Sequence, residues 1–148
     1  MKTILLAVLF SGSAALAANA QDIKAADVPQ AVTSALAQKY ADPKGLDWEM
    51  DGANYEAEFD VNRTDHTVLI APSGEIVMAK SDMMQSELPQ PVRNAIDQKY
   101  KGMPVDDVEQ VEKGGETYYQ VELDENGTDR KLVFTADGQE VTEPAYWD

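Results

Sequence analysis

The stretch PQAVTSALAQKY, residues 29–40, returns sixty positions later as PQPVRNAIDQKY, residues 89–100. An internal repeat constrains a fold more tightly than composition does, because each copy has to bury the same face in the same way. The likeness continues downstream. NYEAEFDVNRTDHTVLIAPSGEIV (54–77) aligns with YYQVELDENGTDRKLVFTADGQEV (118–141) at a constant offset of 64, matching Tyr55 with Tyr119, Glu58 with Glu122, Asp60 with Asp124 and Gly74 with Gly138. Between the two blocks the offset grows from 60 to 64, which places the extra residues of the second copy between Lys101 and Gly115. The chain thus reads as two copies, 27–80 and 87–148, the second including a C-terminal tail after about Glu143, with a linker at 81–86 and a short N-terminal extension at 21–26.

Each copy opens with helical spacing. Val28, Val32, Leu36 and Tyr40 recur every four residues, and Leu88, Val92, Ile96 and Tyr100 repeat the stripe. Asp27 is the expected N-cap, and Pro29 and Pro89 stand in first turns, where a missing N–H costs nothing. Strands punctuated by glycine turns follow. Tyr55, Ala57, Phe59 and Val61 point one way while Glu56, Glu58 and Asp60 point the other; Tyr119, Val121 and Leu123 likewise oppose Gln120, Glu122 and Asp124. The expected fold class is α+β: two tandem repeats, each one helix packed on one side of a small antiparallel β-sheet whose other side is open, polar and acidic. A unit of roughly 55 residues is marginal alone, so the two are expected to share a core or a continuous sheet.

Residues 1–20 stand apart. Lys2, the apolar ILLAVLF and the small-residue end Ala18-Asn19-Ala20 have the form of a secretory signal cleaved before Gln21, and a cut after Ala17 fits as well. The expected location is periplasmic or secreted, with no membrane insertion after cleavage. Cysteine is absent from the sequence, so disulfides are excluded. From Gln21 onward 27 acidic residues face 11 basic ones. A surface that negative repels phosphate backbones and anionic headgroups, which disfavours nucleic-acid and membrane partners and leaves proteins or cationic ligands.

The order apolar-Pro-x-x-Val-x-x-Ala-apolar-x-x-Lys-Tyr, a glycine turn, Tyr-x-x-Glu and a final Ser/Asp-Gly hairpin, occurring twice, resembles the secreted bacterial PepSY-like family, which is similar to β-lactamase-inhibitor protein. The resemblance implies a tandem α+β module of exported proteins, with ligand or protein binding, or inhibition, as its role. The matching residues Pro29, Tyr40, Tyr55 and Gly74, and their counterparts Pro89, Tyr100, Tyr119 and Gly138, have the character of scaffold.

Catalytic constellations are weak. His66 is the only histidine and reads as an exposed polar residue; with no cysteine beside it, zinc lacks ligands, and no serine stands in a nucleophile-elbow context. DENGTD (124–129) departs from a calcium loop, with Gly127 at its fourth position and Thr135 at its twelfth, and reads instead as a hairpin turn at Asn126-Gly127. No metal, cofactor or enzymatic activity is expected. The candidate binding residues are the polar strand faces: Glu56, Glu58 and Asp60 in the first copy, and Tyr118, Gln120, Glu122 and Asp124 in the second. Tyr118 must face the acidic side, either as packing or as an interface anchor, and Trp147 reads as closing a core edge. The leading expectation is a non-enzymatic binding module for a protein or cationic ligand; a divalent-cation-responsive protein is the alternative, and a carboxylate hydrolase comes last.

Overall fold

The computed structural model describes residues 21–148, and the signal segment expected at 1–20 lies outside them. The strands are β1 (Gln21–Asp22), β2 (Lys44–Asp51), β3 (Asn54–Val61), β4 (Thr64–Ile70), β5 (Ile76–Asp82), β6 (Val105–Lys113), β7 (Glu116–Asp124), β8 (Asp129–Thr135) and β9 (Glu140–Val141). Helices α1 (Gln30–Lys39) and α2 (Gln90–Lys99) are each preceded by a 3-10 turn. All nine strands form one antiparallel sheet in chain order. The small sheet expected of each repeat is thus half of one large sheet, and of a shared core or a continuous sheet the chain takes the second: β5 pairs with β6 from Met78↔Lys113 to Asp82↔Glu109, and the halves join edge to edge.

The four extra residues of the second copy lengthen that junction. The β2–β3 hairpin continues past the Trp48↔Ala57 pair for three rungs before its turn, whereas β6–β7 continues past the equivalent Val108↔Val121 pair for five. The two added rungs, at Glu112 and Lys113, pair with Ala79 and Met78 of β5. At the opposite edge, β1 meets β2 only at Gln21↔Met50 and Asp22↔Glu49. Residues 81–86, read as a linker, are the end of β5 running into the 3-10 turn Gln85–Glu87, just as Gln21–Asp22 runs into Ala25–Asp27. Equivalent backbone bonds seal both: Ile23 N–H donates to Trp48 O at 2.9 Å and Met83 N–H to Val108 O at 3.0 Å.

Both helices lie on the same face of the sheet, over separate cores. Val28, Val32 and Leu36 pack with Trp48, Ala57, Phe59, Val68 and Ile70; Leu88, Val92, Ile96 and Tyr100 pack with Val108, Val121, Leu123, Leu132 and Phe134. The apolar stripes read from the sequence are the buried ones. Helix entry differs from expectation: Pro29 and Pro89 occupy the N-cap positions and no side chain caps either helix. Asp27 belongs to the 3-10 turn instead, because proline disfavours helical backbone in the residue before it and so delays the helix start. The first turn of each helix rests on a glycine. A Cβ at Gly74 (φ +89°) would lie 2.8 Å from Ala31 O, and one at Gly138 (φ +83°) 2.5 Å from Pro91 O, so both the turn and the helix contact demand glycine.

His66 is half-buried and not exposed. Its ring stacks on Phe59 at 5.4 Å and lies 5.3 Å from Tyr40 on the helix side of the sheet. Burial lowers its pKa, against the opposing pull of Asp60 and Asp65.

Candidate functional site

The face away from the helices divides along the strand order. Over β1–β3 it is acidic. Asp22 lies opposite Glu49, Glu49 opposite Glu56, and Asp47 opposite Glu58, so five carboxylates stand in direct cross-strand contact. Like charges placed directly opposite are destabilising. Burial and the neighbouring Asp22, Glu58 and Asp47 raise the pKa of Glu49; burial with Glu58, Asp51 and Glu49 raises that of Glu56. Of the candidate residues here, Glu58 is exposed and Glu56 half-buried, whereas Asp60 accepts the Arg63 N–H at 2.8 Å and so shapes the β3–β4 turn. Its repeat partner Asp124 does the same for Gly127 N–H at 2.5 Å.

Over β4–β7 the middle of the outer face is not open, contrary to the alternation argument, while Asp65, Asp82, Asp107 and Glu109 keep one end of it acidic. Leu69, Met78 and Val111 are buried there, with Val77, Tyr118 and Trp147 against them. Lys80, Glu109 and Gln120 lie in the same layer, joined by Lys80 Nζ to Glu109 Oε1 at 3.0 Å and Gln120 Nε2 donating to Glu109 Oε2 at 2.8 Å. Gln120 is only 1% exposed and Glu109 7%. What covers them is the segment after β9, residues 142–148, which folds back across the sheet. Trp147 N–H donates to Gln120 Oε1 at 2.8 Å, and Trp147 O accepts from Gln120 Nε2 at 2.9 Å and from Lys80 Nζ at 3.1 Å. The Lys80 ammonium sits 5.4 Å from the Trp147 ring centroid. Trp147 thus packs on the second face and not at a core edge, and Tyr118 is half-buried beside it, its hydroxyl donating to Glu116 at 2.6 Å. Strand alternation alone places Gln120 on this face; nothing local to β7 shows that a segment far along the chain lies over it.

Glu122 completes the candidates. It is half-buried opposite Lys131, and its pKa is raised, chiefly by burial and by Asp129. Met83 packs on the second core while Met84 is 66% exposed. Among the described residues no three His, Cys, Asp or Glu side chains come together in a way that could hold a metal ion. No helix among them is long and apolar enough to cross a membrane.

One helix-on-sheet unit, doubled across a single antiparallel sheet with both helices on one face, defines a tandem α+β module. The chain belongs to the family described as "Putative beta-lactamase-inhibitor-like, PepSY-like", which matches residues 14–78 and again 60–140. No curated protein matches it. Solved structures agree with the fold. A "putative periplasmic" protein of Bacteroides eggerthii is 26% identical with a TM-score of 0.72, covering 77% of this chain and 86% of its own. A DUF2874 family protein of Bacteroides uniformis is 28% identical with a TM-score of 0.71, covering 76% and 86%. A BLIP-like protein of Bacteroides fragilis is 25% identical with a TM-score of 0.67, covering 76% and 83%.

Proposed function

We propose that this is a non-enzymatic, periplasmic or secreted binding module that holds a cationic surface of a protein partner on its acidic outer face. One observation carries the reading: Asp47↔Glu58 and Glu49↔Glu56 are directly opposed like charges, and Asp22 extends the row. A sheet face kept at a cost to stability is the kind of feature that function retains. Glu56 and Glu58 are the centre of the site, with Asp47 and Glu49 beside them. The family's inhibitor-like description and the periplasmic neighbour support an exported binder, and inhibition of the partner belongs to the same reading.

The test is affinity capture from the extracellular and periplasmic fluid of the source cells, with the Glu49→Gln/Glu58→Gln double variant as parallel bait. A partner retained by the native chain and lost by a variant that melts at the same or a higher temperature is the expected result. Equal retention by both baits sinks the reading. The cation-responsive alternative rests on the same carboxylates and has a separate readout. Calcium raises the melting temperature of native protein in proportion to ln(1 + [L]/Kd) and leaves the double variant unmoved if that alternative holds.

A further inference from the structure

The 142–148 segment is a strap with unusual fastenings. Among the described residues no backbone-to-backbone hydrogen bond ties it to the sheet. It is held by side chains. Gln120 presents its amide to the Trp147 backbone as a strand would, donating to the carbonyl and accepting from the N–H, and Lys80 adds a second donor. Flanking contacts choose side chains: Lys80 under the Trp147 ring at 5.4 Å, Lys131 under the Tyr146 ring at 5.1 Å, and Lys131 paired with Asp148. A cover serving stability alone needs no buried charge, since an apolar layer of similar volume is generally as good or better. A half-buried lysine and a buried glutamine aimed at the backbone of one residue, both braced by Glu109, are the chemistry of backbone recognition.

From this geometry we propose that the outer face of the second repeat is a peptide-recognition site filled in cis by the chain's own strap, and that in its place it takes an extended partner segment carrying adjacent aromatics followed by an acid. Gln120 and Lys80 read the main chain. The Leu69, Met78, Val111 and Tyr118 patch takes the larger aromatic, and Lys131 takes the second ring and the carboxylate. Lys80 and Lys131 face the two rings and the carboxylate, and Glu56 reaches the Trp147 side chain, so this site adjoins the acidic row.

The test uses a fluorescein-labelled, amidated peptide of residues 143–148 and the full chain carrying Trp147→Pro, which removes both the ring and the N–H that Gln120 accepts. Polarisation is expected to show saturable binding to Trp147→Pro. Binding to the native chain should be at least about tenfold weaker, because the tethered strap competes at an effective millimolar concentration. Adding Gln120→Ala to Trp147→Pro should abolish binding. Equal binding to native and Trp147→Pro chains, indifference to Gln120→Ala, or no binding to a folded Trp147→Pro chain overturns the proposal. A native dimer that Trp147→Pro dissolves also overturns it, by assigning the site to a second copy. Hydrogen exchange on the native protein is independent of any variant: the Trp147 N–H is expected to exchange by local opening insensitive to denaturant, and exchange only through global unfolding contradicts a displaceable strap.

Discussion

Two glycines and one histidine carry most of what single residues decide here. Gly74 and Gly138 were visible in the sequence as a matched pair but not as contacts; the structure shows each beneath the first turn of its helix, at positive φ. Gly138→Ala is expected to cost about 2–4 kcal/mol, since a methyl group would meet Pro91 O in a backbone region that L residues avoid. Gly74→Ala should cost less, its clash being milder, and urea titration of both variants measures the difference. His66 makes a pH prediction. Its folded pKa lies below the unfolded value because burial disfavours the cation, so the unfolded chain binds the proton first as pH falls. The penalty is absent well above the unfolded value of about 6.5, grows below it, and levels off once pH passes the folded pKa. Comparing melting temperatures of native and His66→Gln protein at pH 8 and pH 5 should therefore show the variant gaining on the native protein at the lower pH.

Among elements, the β2–β3 hairpin is the least economical. Its outer rungs oppose Asp47 with Glu58 and Glu49 with Glu56, and the folded pKa of Glu56 is raised by burial first and by its acidic neighbours after it. Between the unfolded value and that raised value the folded chain binds more protons than the unfolded one, so stability falls as pH rises through this window. Glu56→Gln is accordingly expected to raise the melting temperature at pH 7 by roughly 2 °C, with the gain vanishing below about pH 4 where both states are protonated. A calorimetric series across that range checks it. A Glu56→Gln protein that melts lower at pH 7 contradicts the strained-face account. The alternation of this hairpin was legible because strand faces repeat every two residues. The strap was not, because its partners Lys80, Glu109 and Gln120 are scattered over three strands, and none of them differs in sequence terms from a solvated polar residue.

At the scale of the molecule, two cores with no buried residue in common are joined by the β5–β6 ladder and by the ion pair between Lys39 and Glu112 at 2.5 Å. Each half is of a size that is marginal alone, so the halves are expected to unfold together. Leu36→Ala and Ile96→Ala, one in each core, should each cost about 2–5 kcal/mol and shift a single transition. Fluorescence, which draws on Trp48 in the first core and Trp147 on the second repeat's outer face, should then coincide with circular dichroism. Separate transitions for the two variants would show that the ladder does not couple the halves.

What the sequence by itself determined was everything local and periodic. The repeat, the apolar helix stripes, the alternating strands and the turn at Asn126-Gly127, where both residues adopt positive φ, all follow from spacing, which acts over a few residues. Only the tertiary structure decided which edges meet and what covers the second face. Strand pairing between repeats is extended by two rungs whose inserted residues look like loop until β5 lies against them, and the strap depends on contacts from Trp147 back to Lys80. Such contacts are selected by the free energy of the whole packed chain, and a residue's neighbours in sequence carry no record of them.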